Sequence, residues 1–417
     1  MYGSQNLMNN ELPESQTSQN IPQRKYWQNP QVLLLAMMFL MSFGFGVWQV
    51  LLNNFVIEKA NFTGVEIGIL QSVREVPGFL AFTAVFVLLI IKEQTFAVLS
   101  LAVMFAGIAL TGLMPFEYGL YFTTVVMSIG FHYYETINKS LTLQWLDKSE
   151  TAHFMGRALS VKAIASLTAY ALIFVAMKLL GVSYLWMYLT VGLLGFIAAV
   201  FIFKRFVHFH DVDIQRKHLL MRKRYWLYYA LVFLSGARRQ IFVVFAGFMM
   251  VEKFGYSVAD ISLLFILNYV FNYFFAVRIG KFIGVIGERK ALVIEYVGLI
   301  AVFTGYAFVQ NAHLAAGLYV VDHLFFAFAI AVTTYFQKIA DKGDIASTAS
   351  VSFTINHIAA VVIPAILGMV WVVSHSAVFL VGVVFAVLSL ICAFNVPAKP
   401  EEDNVVVWGY GKKVNAV

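Results

Sequence analysis

A chain of 417 residues with 61% hydrophobic and only 12% charged residues, and a mean hydropathy of +0.79, is too apolar for an ordinary soluble domain. Its formal net charge of +7 would suit a nucleic-acid partner, but the basic residues lie in short segments between apolar runs, which excludes that reading. The single cysteine, Cys392, leaves no disulfide to form.

Residues 1–29 are rich in Gln, Asn and Ser and read as a disordered cytoplasmic tail, and the apolar run that follows is too long for a cleavable signal peptide. A bilayer core of roughly 30 Å takes about 20 apolar residues per helix. Loop signals cut the rest into about twelve such spans. Six fall in a first half, 30–203, at 31–57, 64–91, 96–114, 118–144, 158–179 and 183–203. A basic linker at 204–224 separates them from a second half, 225–396, with spans at 226–251, 257–279, 290–309, 312–337, 347–373 and 375–396. Residues 397–417 read as a second cytoplasmic tail. The expected fold is therefore an all-α integral membrane bundle of about twelve helices in two six-helix pseudo-repeat halves.

Basic residues orient it. With the N-terminus inside, 21 Lys and Arg lie in inside segments and only Lys59, Lys178 and Lys253 outside, which predicts both termini in the cytoplasm. A shift of 194 residues superimposes Glu58-Lys59 on Glu252-Lys253, Glu66-Ile67 on Asp260-Ile261 and Leu70 on Leu264, as expected of repeated halves with a substrate site between them.

Ionisable groups inside a span cost roughly 2.5–3.5 kcal/mol each on insertion scales and demand a partner, a water-filled cavity or a task. The second span carries Arg74 and Glu75, which read as a structural pair. On the fourth, His132, Glu135 and Lys139 are spaced three and four apart and share a face. The fifth carries Lys162, the seventh Arg238 and Arg239, the ninth Glu295, the tenth Asp322 and His323, and the eleventh Asn356 and His357. Adjacent arginines point about 100° apart on a helix, so one of the two is expected to face a cavity. Because a guanidinium holds a carboxylate or phosphate through two parallel hydrogen bonds, an anionic organic solute is expected. Glu135 and Asp322 are the expected proton carriers, a structural Glu135–Lys139 ion pair being the alternative. Asn268 and Asn272 read as interhelical hydrogen-bonding groups. The histidines at 208, 210 and 218 read as part of a solvated linker.

Between the eighth and ninth spans the chain reads Gly280-Lys281-Phe282-Ile283-Gly284-Val285-Ile286-Gly287-Glu288-Arg289-Lys290-Ala291-Leu292. This resembles the cytoplasmic loop signature of the major facilitator superfamily, with Gly280, Gly287, Arg289 and Leu292 matching and Gly284 and Val285 standing where the family has aspartate and arginine. The resemblance implies a secondary transporter working by alternating access. It also implies that spans one, four, seven and ten line a central cavity, where the fourth-span stripe would face Arg238 or Arg239 and Asp322. The expected partners are a small solute, a proton and the lipid of an inner or plasma membrane, with the protein a monomer. No phosphate-cradling loop, catalytic constellation or metal-spaced Cys and His cluster is legible, so no enzyme activity, cofactor or metal site is expected. A drug or metabolite efflux antiporter and a non-transporting receptor or assembly protein are the rival readings.

Overall fold

The computed structural model describes residues 26–146, 148–209, 221–341 and 344–410. Among them no strand is formed beyond isolated bridges such as Glu401 with Asn404, and twelve helical rods follow one another. In the first half these are α1 (Pro30–Ala60), α2 (Gly64–Phe79), α3 (Glu93–Leu113), α4 (Glu117–Trp145), α5 (Lys148–Ile173) and α6 (Tyr184–Arg205). In the second they are α7 (Lys223–Glu252), α8 (Val258–Ile286), α9 (Glu288–Phe308), α10 (Ala312–Ile339), α11 (Ile345–Val373) and α12 (His375–Asn395).

Nine of the rods, among the described residues, are long and apolar enough to cross a membrane. The three that fall short do so for visible reasons. After α2 the chain passes through a 3-10 turn, Leu80–Thr83, into the short helix Ala84–Leu88. The break follows Pro77, whose ring displaces the carbonyl one turn earlier. α4 carries the polar stripe, and in α8 the continuous described apolar stretch is Val258–Phe271.

The halves are built alike at the same positions. Thr63 caps α2 in a reciprocal box with Glu66, and Ser257 caps α8 in the same way with Asp260. Asn61 and Gly255, which close the preceding helices, both take positive φ, 54° and 66°. Glu58 accepts from the Tyr184 hydroxyl at 3.0 Å, and Glu252 lies 3.5 Å from His375, so an acid at the end of each half's first rod ties down the start of its last. The third rods agree too: Glu93 accepts from Gln144 at 2.9 Å, and Glu288 pairs with Lys338 at 2.6 Å.

Two sequence boundaries move. α5 begins at Lys148, ten residues before the expected start, and it closes in a π-helical turn, Phe174–Leu179. α8 runs on to Ile286, so Gly280 and Gly284 lie on a helix and Gly287, at φ 83°, alone makes the turn. A Cβ on Gly280 or Gly284 would meet nothing within 4 Å, so neither glycine marks a close approach of helices. Leu292 is buried, while Arg289 is half-buried.

In lipid, helices gain little from burying apolar surface against each other, and close packing of small residues takes over. The halves meet where α2 packs on α11 and α5 on α8. Gly64 lies against Trp371, and Gly68 against the Pro364 carbonyl and Gly368. Nearby, Asn54 donates to the Tyr256 carbonyl at 2.7 Å, and Tyr170 meets Phe265 and Tyr269 edge-on. These contacts join the halves from mid-depth toward the end opposite the linker. Gly68→Val places a branched side chain against the Pro364 carbonyl, and thermal unfolding in detergent should register a loss of about 1–3 kcal/mol. Unchanged stability would mean that this contact is not made in solution.

Segment 397–410 packs across the linker end of the second half rather than trailing away. Tyr335 donates to the Val405 carbonyl at 2.7 Å, Asn395 brackets Trp408, and the Trp226 indole donates to the Tyr410 carbonyl at 3.1 Å.

Candidate functional site

Three groups of ionisable side chains occupy the middle of the bundle. The first straddles the two halves. On α2, Arg74 donates to Glu75 Oε1 through Nε at 3.1 Å and Nη2 at 2.5 Å. The expected structural pair is thus formed, and it leaves Glu75 Oε2 free of the guanidinium. His357 of α11 brings Nε2 to 3.7 Å from that oxygen, and the ring of His132 from α4 stands 5.5 Å from the His357 ring. All four side chains are buried. Gly78 makes room for them, since a Cβ there would lie 2.5 Å from His357 Nε2 and 2.7 Å from His132 Cε1. Ser128 donates to the Arg74 carbonyl and fastens α2 to α4 beside the cluster.

The second group lies wholly within the second half. Arg238 of α7 lies 3.7 Å from Glu295 of α9, and each side chain is only 3% exposed. The guanidinium also donates from Nε to the Leu234 carbonyl at 3.2 Å and sits 4.4 Å over the Tyr296 ring. Asp322 of α10, fully buried, lines the same narrow gap. Both Asp322 carboxylate oxygens, Glu295 Oε2 and Arg238 Nη1 lack a hydrogen-bond partner. Two acidic groups therefore share one cation in a buried pocket, directly before a π-helical turn at Ile241–Ala246.

The third group stays accessible. Glu135 of α4 pairs at 3.8 Å with Lys162 of α5, the two side chains being 42% and 36% exposed. Lys139 is exposed and sits 6.0 Å over the Phe353 ring, and Arg239 is exposed on α7.

The fourth-span stripe is therefore divided. His132 turns to Glu75 and His357, whereas Glu135 pairs with Lys162 and not with Lys139, because α5 supplies the nearer cation. The stripe does not meet Arg238 and Asp322 as a unit. Arg238 instead shares a pocket with Asp322, with Glu295 as its ion-pair partner. His323 is half-buried, with Nδ1 at 3.2 Å from the Tyr319 carbonyl and its ring against Phe242, so it packs beside the pocket without entering the ion pair. Asn268 is buried with neither amide atom hydrogen-bonded, contrary to its expected interhelical role, and the Asn272 side chain lies outside the described residues, as do His210 and His218.

Glu75 and Glu295 were left out of the expected site. Glu295 carried a signal, being the one ionisable residue at the middle of the ninth span and so in need of a cation from another helix. Gly78 carried none. Because the Glu135–Lys162 pair is open to solvent, Glu135→Gln should cost less than about 1 kcal/mol in thermal unfolding. A larger loss would mark the pair as structural.

Comparison with known proteins places this geometry in a family. The structure superimposes on that of a mutant of the nucleoside transporter NupG with a TM-score of 0.72 at 15% identity, covering 88% of this chain and 99% of that one. A bacterial homologue of the iron transporter ferroportin in an inward-facing state gives 0.68 at 14%, covering 87% and 97%. A bacterial homologue of the human lysosomal transporter Spinster, inward-facing and occupied, gives 0.67 at 12%, covering 87% and 95%. At these identities the likeness is one of fold. No curated protein matches the sequence. A family model does match, over residues 91–364, and with the twelve rods in two alike halves it shows that the chain is a multi-pass membrane protein of the Major Facilitator Superfamily.

Proposed function

We propose that the protein is a proton-coupled secondary transporter of a small anionic organic solute, moved by alternating access between its two halves. The observation that carries the reading is the accessibility of Glu135, Lys139, Lys162 and Arg239. Charged groups in a spanning segment stay in contact with water, so exposure there implies an aqueous cavity rather than lipid. Three cations against one anion give that cavity a positive field suited to a carboxylate or phosphate. Arg74 and Arg238, by contrast, are already neutralised by acids of their own. Anion capture thus falls first to Lys139 and Arg239, with Lys162 shared with Glu135.

The proton is assigned to the Arg238–Glu295–Asp322 pocket. Two ionised carboxylates beside one guanidinium, away from water, would leave a bare negative charge, and a shared proton removes it. When the halves rock and water reaches α7 and α10, the proton can leave. The contacts at Gly64, Gly68 and Gly368 support an arrangement closed at the end opposite the linker.

The test is reconstitution into liposomes carrying an internal pH dye, with organic acids, phosphate esters and nucleosides offered outside. An anionic solute that accumulates down a proton gradient, with acidification of the lumen, supports the reading. Movement of neutral solutes alone removes the anion part, and accumulation indifferent to the gradient removes the coupling. The charge bias further predicts that a reporter fused after Val417 is cytoplasmic, in an inner or plasma membrane. A reporter active on the outer face would reverse the orientation.

A further inference from the structure

We propose that Glu75, His132 and His357 form a binding site for one divalent transition-metal ion between the two halves. The proposal stands apart from the transport reading and uses none of the residues assigned to solute or proton.

The donor set comes first. One carboxylate oxygen and two imidazole nitrogens make a ligand trio that suits zinc and its neighbours, with the fourth position left to water. One ligand atom from each residue lies within 4.8 Å of the other two, and all three residues are buried. Tetrahedral ligands at zinc distances stand about 3.4 Å apart. His357 Nε2 and Glu75 Oε2, at 3.7 Å, are close to that spacing, and His132, within 4.8 Å of both, completes the set by a small movement of its ring.

Orientation comes second. His357 Nδ1 lies 2.9 Å from the Phe353 carbonyl, and since a carbonyl only accepts, Nδ1 carries a proton and Nε2 is the ring atom turned to Glu75, where a metal ion could replace any proton it holds. Glu75 is held in turn by Arg74 on Oε1, which leaves Oε2 directed at the imidazoles. Each of these ligands thus has the outer partner that metal ligands use to fix their aim. Room comes third, because Gly78 lets both rings converge over α2 where any side chain would part them. The ligands arise from α2 and α4 of one half and α11 of the other, so a bound ion would clamp the halves in this arrangement.

The experiment titrates Co2+ into the purified full-length protein, freed of any affinity tag, and follows the visible d–d absorption, with Zn2+ as competitor. One Co2+ per chain with the strong bands of four-coordination, displaced by Zn2+, is expected. His132→Gln and His357→Gln should each weaken binding at least tenfold, as should Gly78→Ala, which removes no ligand but parts the rings. His208→Gln, at an exposed histidine near the linker, should change nothing. Absence of four-coordinate cobalt, or equal binding by both site variants, overturns the site, as does loss of binding in His208→Gln. Should a site variant fail to fold, X-ray absorption of the Zn2+-loaded wild type decides alone. Two imidazoles with oxygen donors support the site, and fewer than two imidazoles refute it.

Discussion

Arg238→Gln should lower thermal stability by about 3–5 kcal/mol, the largest loss expected from one substitution in this chain. The change does little to shape, but it removes the cation that Glu295 faces at 3.7 Å and that shares the pocket of Asp322. Glutamine can offer a hydrogen bond and no charge. Both acids would then have to take up protons or bring in water, in a pocket where their side chains are almost fully buried. Glu295→Gln should cost less, because Arg238 would still face Asp322. In the double variant the two losses should fail to add, the signature of a shared interaction. Unfolding in detergent, followed by tryptophan fluorescence, reads all three. A loss below about 1 kcal/mol for Arg238→Gln would show that water already enters this pocket.

Asp322→Asn should abolish accumulation of solute against its gradient while leaving downhill exchange intact. Asparagine is close in shape to protonated aspartate, so it mimics the loaded state and tests coupling apart from folding. Asp322 is better suited to this test than Glu135. The Asp322 carboxylate is fully buried with both oxygens unpartnered, whereas Glu135 is open to solvent beside Lys162. A proton bound where water already reaches gains and loses little as the protein turns over. Transport assays in proteoliposomes, with and without an imposed pH gradient, separate the two activities. Full accumulation by Asp322→Asn would move the coupling role to Glu295, and Glu295→Gln would be the next variant to measure.

The architecture was readable because lipid imposes long apolar runs and satisfied backbones, and each leaves a one-dimensional trace. The repeat found by a shift of 194 residues has a local cause. Glu66 and Asp260 match because each closes a capping box, and Asn61 and Gly255 match because each ends a helix with positive φ. Glu58 and Glu252 match for a tertiary reason, since each anchors the start of a later helix in its half.

Partnership among buried charges was less legible. Helical spacing correctly places His132, Glu135 and Lys139 on nearby positions of α4, but it cannot say which neighbouring helix each meets. α2 and α11 take His132, α5 takes Glu135, and Phe353 of α11 lies under Lys139. The sequence by itself determined the helical class, the twelve rods, the two alike halves and which ionisable groups lie within them, because periodicity, caps and hydropathy are properties of neighbours along the chain. Only the tertiary structure decided that Glu295 belongs with Arg238, that Glu75 and two histidines converge over Gly78, and that 397–410 folds back on the second half. Those pairings depend on how helices distant in sequence rotate and cross, and in lipid that is set by close packing at residues such as Gly64, Gly68 and Gly368, whose partners no local pattern names.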